Sequence, residues 1–134
     1  MKYLLDTNII IHLFRGKFNL LPKIENVGLE NCAISEITLA ELVYGAENSS
    51  DPKKNHRLID KFVEQISVLP VFNAIHTYGK EKTRLRRSGN MISDFDLLIG
   101  CTAISNDLIM VTENSKEFER ITEIKIENWV VRGN

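Results

Sequence analysis

Short apolar runs that recur between helical stretches are the feature that most limits what this chain can fold into. Lys2 to Leu5 reads as a first strand, followed by Cys32 to Ile34, Val68 to Val71 and Leu108 to Val111. A last strand is expected at about Lys125 to Ile126, or through Val131. These are apolar runs rather than clean alternations of apolar and polar residues, as in strands covered on both faces. Pro70 keeps the third strand short or peripheral, because it has no N–H to donate to a ladder.

The segments between the runs supply the cover. Ile9, Ile10, Ile11, Leu13 and Phe14 follow the first strand and Gly16 ends that stretch; a second helical piece spans about Leu20 to Asn26. Ser35 is placed to cap a helix from Glu36 to about Tyr44, with Gly45 as its stop. Leu58, Ile59, Phe62, Val63 and Ile66 give helical spacing to about Lys53 to Ile66. Asn73 is placed to cap a helix that runs to Ser88 and halts at Gly89, and a further helix covers about Phe95 to Ser105. The expectation is one α/β domain over residues 1–134, with a small, mostly parallel sheet flanked by helices on both faces. In such sheets ligands gather just beyond the carboxyl ends of the strands.

Composition sets few further bounds. A chain of 134 residues can bury a core without disulfides or a structural metal. Cys32 and Cys101 sit in apolar segments without the paired spacing of a zinc site, so they read as buried reduced thiols and point to the cytoplasm. The N-terminus reaches Asp6 too soon for a signal peptide, and no apolar run is long enough to cross a bilayer. The net charge of −1 is unlike that of many nucleic-acid binders, but a site that gathers carboxylates lowers a protein's own charge.

Acids recur where the strands are expected to end. Asp6-Thr7-Asn8 lies at the junction of the first strand and its helix, where Asp6 can reach a cation or simply cap the helix. Thr38 and Glu41 share one face of an otherwise apolar helix, where an acid is expensive unless paired or bound to a metal. Asp94 and Asp96 open the nearly uninterrupted apolar run Leu97 to Ile104, and one of the two could serve as its cap. Thr112-Glu113-Asn114 again follows a strand. Clustered carboxylates repel unless protonated or neutralised by a cation. Magnesium takes hard oxygen ligands, often only one or two carboxylates, and suits phosphodiester hydrolysis.

A basic strip adds to this picture. Lys80, Lys82, Arg84, Arg86 and Arg87 accompany a single acid, Glu81, and lead into the Asp94–Asp96 segment, which suits a nucleic-acid backbone as well as a solvated helix face. His12, His56 and His76 show no ligand spacing. A haloacid-dehalogenase-type phosphotransferase would need an acid where Asn8 stands, and a receiver domain would need paired acids after the first strand.

The chain resembles the VapC-type toxins of the PIN-domain family along nearly its whole length. The resemblance rests on Leu5-Asp6-Thr7-Asn8, on Ser35 to Gly45 as S-x-x-T-x-x-E-L-x-x-G, and on Ser93 to Ile99. Val111-Thr112-Glu113-Asn114 with Glu117-Phe118, and Asn128-Trp129, complete it. It implies an endoribonuclease using Mg²⁺ or Mn²⁺, often a homodimer, inhibited by a small antitoxin that inserts a segment at the active site. The family acids fall on Asp6, Glu41 and Asp96, with Asp6 and Asp96 as metal ligands and Glu41 positioning water or the cation. Asn8, Thr38, Asp94, Thr112 and Asn114 would support them, and Arg84, Arg86 and Arg87 would meet the RNA. Asn114 stands where many members carry a fourth acid, with Asp94 as a candidate replacement. The alternatives are a PIN-fold nuclease acting on DNA or in RNA maturation, or a catalytically idle binding module.

Overall fold

A computed structural model describes residues 1–133. Five strands form one sheet: β1 (Tyr3–Leu5), β2 (Cys32–Ser35), β3 (Ser67–Leu69), β4 (Ile109–Val111) and β5 (Ile126–Glu127). Their order is β3-β2-β1-β4-β5, and every neighbouring pair runs parallel. The chain builds outward from β1 on one side, then returns to build β4 and β5 on the other. The crevice between the ends of β1 and β4 is therefore the point where strand order reverses.

The helices are α1 (Thr7–Phe14), α2 (Leu20–Val27), α3 (Glu36–Glu47), α4 (Pro52–Val63), α5 (Ile75–Ser88), α6 (Asp94–Ser105) and α7 (Ser115–Phe118). The pleat sends alternate strand residues into two separate cores. Tyr3, Leu5, Cys32, Ile34 and Val111 pack against α1 to α4, with Ile10, Leu42 and Phe62 among their partners. Leu4, Ala33 and Met110 point the other way, onto Leu85, Leu97, Cys101 and Phe118 of α5 to α7. The expected two-sided α/β architecture holds, and α6 is buried nearly all round, from Leu97 through Ala103. No helix of the described residues is long and apolar enough to cross a membrane.

Several boundaries differ from the sequence expectations. Helix α3 runs through Gly45 to Glu47, with Asn48 as its C-cap, because Gly45 keeps an ordinary negative φ and needs no left-handed turn. Asn73 does not cap α5; it lies inside a 3₁₀ turn at Phe72–Ala74, and α5 begins at Ile75 without a side-chain cap. Gly89 does end α5, with φ of 74°. Helix α4 stops at Val63, short of Ile66. Neither Asp94 nor Asp96 caps α6: Ser93 does, its Oγ accepting from the Asp96 N–H at 3.2 Å.

Glu81 joins the α5 layer to the segment after α7. Its carboxylate accepts from Arg84 at 3.0 and 3.1 Å, from the Thr122 N–H at 2.6 Å and from the Thr122 hydroxyl at 3.2 Å. Hydrogen bonding from Arg84 leads the effects that hold its pKa below the usual 4.5, against the opposing effect of burial. Bonds to a charged acceptor contribute about 1.5–3 kcal/mol each, so Glu81→Ala should lower stability by about 2–3 kcal/mol at neutral pH, read in a urea titration. The carboxylate is more acidic folded than unfolded, so its contribution is present above pH 4.5 and fades as pH falls below it. Equal stability of mutant and wild type at pH 7 would show that the link is dispensable.

Candidate active site

Asp6 ends β1 at the point where strand order reverses, and it is only 4% exposed. Its two oxygens have separate tasks. Oδ1 accepts the Thr7 N–H at 2.8 Å and so caps α1; Oδ2 accepts the Thr112 hydroxyl at 2.8 Å from beyond β4. The capping and cleft roles weighed for Asp6 are thus compatible in one side chain. Thr112 is fully buried, and while donating to Asp6 its oxygen accepts the Asn114 N–H at 2.9 Å, which fixes the turn after β4.

Glu41 arrives from α3, whose N-terminus is set by Ser35 accepting the Ile37 N–H at 3.0 Å. The Thr7 hydroxyl lies 2.7 Å from Glu41 Oε1 and 3.1 Å from Thr38 Oγ1. With one proton available, Thr7 donates to the carboxylate and accepts from Thr38, which is wholly buried. Asp96 comes from the first turn of α6; because Ser93 satisfies that helix end, Asp96 is free to face the cleft.

These elements enclose an open cleft of about 660 Å³ lined in part by Asp6, Asn8, Glu41, Asp96 and Asn114. Burial raises the Asp6 carboxyl above the usual 3.8, with the charges of Glu41 and Glu117 adding to the effect of desolvation. Asp96 is pushed up to about 6, first by burial, then by the Asp6 charge, and further by the neighbouring Glu117. Among the described residues, none of Asp6, Glu41, Asp96 and Glu117 forms an ion pair with Lys, Arg or His. The cluster is an uncompensated negative field.

Glu117 is the member that sequence reasoning passed over. In the sequence it stands only as part of the Glu117-Phe118 motif, yet it sits on α7 after β4, where Asn114 Nδ2 donates to its Oε2 at 3.0 Å. Its i+3 spacing from Asn114 was the available signal. The amide at Asn114 thus positions an acid three residues on. Asp94, considered as a replacement acid, lies elsewhere: its Oδ1 accepts from Lys82 at 2.9 Å and from the Tyr78 hydroxyl at 2.8 Å. Hydrogen bonding from Lys82, then from Tyr78, lowers its pKa.

The basic strip divides in a similar way. Arg84 is tied back onto Glu81 and the Arg120 carbonyl, and Lys82 onto Asp94. Lys80, Arg86 and Arg87 are exposed and have no carboxylate partner among the described residues. His12 pairs with Glu113 at 3.1 Å and His56 with Glu47 at 2.8 Å, away from any metal-type grouping. Cys32 and Cys101 are buried free thiols, raised by that burial to about 11 and about 12.

Residues 3–124 match the family model described as the PIN domain. The chain is 38% identical over 130 residues to the tRNA(fMet)-specific endonuclease VapC of Shigella flexneri, covering 96% of this chain and 98% of that one. It is 37% identical over 133 residues to ribonuclease VapC2 of Haemophilus influenzae, covering 97% and 99%. The structure of DNA-bound VapBC from Salmonella typhimurium superposes with a TM-score of 0.89 at 35% identity, covering 96% of this chain and 98% of that one. Near-complete coverage in both directions, with the acids converging where strand order reverses, makes this chain a member of the PIN-domain family and of its VapC group.

Proposed function

We propose that this chain is a metal-dependent endoribonuclease that acts as the toxin of a toxin–antitoxin pair. The observation that carries the proposal is the convergence of Asp6, Glu41 and Asp96 on one cleft, with the Glu117 charge acting on Asp6 and Asp96 and no basic partner for any of the four among the described residues. Relatives named as ribonucleases and a tRNA endonuclease support RNA as the substrate.

The residues fit a hard divalent cation, Mg²⁺ or Mn²⁺. No three acidic, histidine or cysteine side chains among the described residues stand close enough to enclose a metal by themselves. That spread suits an ion that takes one or two carboxylates and otherwise keeps water. Asp6 and Asp96 would hold it, Glu41 would position water, and Glu117 would share the charge with Asp96. Bound there, the cation supplies an activated water and offsets charge on the scissile phosphate.

The chain's own residues do the positioning. Thr112 and the Thr7 N–H fix both oxygens of Asp6, the Thr7 hydroxyl fixes Glu41, and Asn114 orients Glu117. A second groove of about 280 Å³, lined by Phe14, Leu42, Leu58 and Ile59, adjoins the cleft through Ile11 and Glu41. An apolar groove running up to the acids supports an antitoxin segment that seats there and reaches the site. A homodimer and a cytoplasmic setting belong to the same proposal.

Purified protein freed of partners should cut cellular RNA into discrete products with Mg²⁺ or Mn²⁺ and not with chelator. Asp6→Ala or Asp96→Ala should reduce that cleavage by more than about 100-fold with the fold intact, since even residues that only orient metal ligands cost about 10- to 100-fold. Thr112→Val, which removes the hydroxyl from Asp6, should fall in that lower range. Full cleavage by folded Asp6→Ala would sink the mechanism.

Asp96 also links the site to stability. Its carboxyl is less acidic folded, at about 6, than at the ordinary 3.8, so the folded protein binds more protons across that interval. Stability therefore falls as pH rises from about 4 to 6 and stays lower above that window. Asp96→Asn should raise the metal-free Tm by a few degrees, on the order of 1 kcal/mol, at pH 7.5. The gain should vanish near pH 4; an unchanged Tm at pH 7.5 would contradict the charge crowding.

Arg86 and Arg87, exposed at the end of α5, are the proposed contacts to RNA phosphates outside the cleft. Reversing either charge should weaken RNA binding and reduce the salt slope by about 0.7 per lost contact. An unchanged slope would exclude them as contacts.

A further inference from the structure

Among the described residues, no cationic side chain lines the cleft that gathers the acids. Apart from Asp6, Glu41 and Asp96, its walls present Thr7, Asn8, Asn114 and apolar or aromatic side chains. A polyanion entering it meets repulsion from every charged group there, and the arginines on α5 lie outside the lining. A metal offsets charge at one phosphate only. Inside the cleft, something other than charge must hold the nucleotides on either side of that phosphate.

Two aromatic rings have the required placement. Tyr44 follows Glu41 by three residues on α3, so the ring and the acid share a helix face. Phe95 immediately precedes Asp96 in the first turn of α6. Both line the cleft, one from each wall, and both are open to solvent: Tyr44 is 70% exposed and Phe95 52%. Neither belongs to either core. Large aromatic surface left in water has an unfavourable hydration cost that contact with a partner would relieve. Stacking under a base needs no positive charge, so it can operate inside a negative field, and every base offers a face to stack on.

We propose that Tyr44 and Phe95 are the substrate-binding platforms of this site, stacking nucleobases on opposite sides of the scissile phosphate. The ligand is single-stranded RNA, because bases within a duplex have no free face. This deepens the nuclease proposal and rests on it for the position of the scissile phosphate. Each ring is fixed in sequence to an acid of the cluster, so a base held on Tyr44 and another on Phe95 would set the register of the chain against Glu41 and Asp96.

The test is binding of a single-stranded RNA carrying 2-aminopurine, with Ca²⁺ in place of Mg²⁺, read by fluorescence quenching and by Kd. Tyr44→Ala and Phe95→Ala should each weaken Kd about 10-fold and reduce the quench, and the double variant should lose about 100-fold. Tyr44→Phe and Phe95→Tyr should stay within about twofold of wild type, whereas Tyr44→Leu should behave like the alanine variant. Circular dichroism and Tm confirm the fold of each variant, and a duplex of the same sequence should show no dependence on the rings. Unchanged Kd and quench in a folded double alanine variant overturn the proposal, as does full retention in Tyr44→Leu, which would mark simple apolar contact. Cleavage of cellular RNA with Mg²⁺ is measured in parallel. Metal-dependent cleavage by wild type with ring-independent binding defeats the platforms and leaves the nuclease standing. Ring-dependent quenching without any cleavage does the reverse and leaves a base-stacking binding module.

Discussion

The pairing of Thr112 with Asp6 across the central crevice is the constraint on which the site depends. It joins the end of β1 to the turn after β4, two segments 106 residues apart, through a hydroxyl with no exposure to solvent. The parallel register of β1 on β4 places Leu5 beside Val111, so the following residues of both strands emerge together at the carboxyl edge. Asp6 is consequently fixed before any ligand arrives. The same threonine also holds the turn carrying Asn114, which in turn orients Glu117. One buried hydroxyl thus coordinates two acids.

The acids impose a charge problem that the fold tolerates rather than removes. The ammonium of Lys82 is committed to Asp94 and the guanidinium of Arg84 to Glu81, so neither neutralises the cleft. Desolvation and mutual repulsion instead raise Asp6 and Asp96 towards their neutral forms. Such crowding opposes folding of the metal-free chain and favours any cation that can relieve it.

The architecture was legible in the sequence because both-side burial leaves a direct mark: apolar strand runs and an all-apolar α6. Asp6, Glu41 and Asp96 were legible because acids at strand ends and inside apolar helices demand an explanation. What escaped was local competition between equivalent partners. Ser93, Asp94 and Asp96 could each have capped α6, and only the folded backbone selects Ser93. Gly45 reads as a helix stop, yet nothing on the exposed face of α3 forces the chain to turn there. Arg84 and Arg86 look alike in sequence; long-range contact with Thr122 and Arg120 separates their surroundings. Glu117 was obscured for the same reason, since its role depends on the fold bringing it near Asp6 at the end of β1 and Asp96 on α6.

The division into two cores has its own consequence for how such a site can diversify. The α3 wall of the cleft is anchored in one hydrophobic layer through Leu42 and Ala46, and the α6 wall in the other through Leu97 and Ile99. The sheet lies between them as a partition. Substitutions that shift one layer can therefore move a single wall and reshape the opening while the acid at the end of β1 stays in place. A chain built this way can explore new substrate shapes by altering half of its interior at a time.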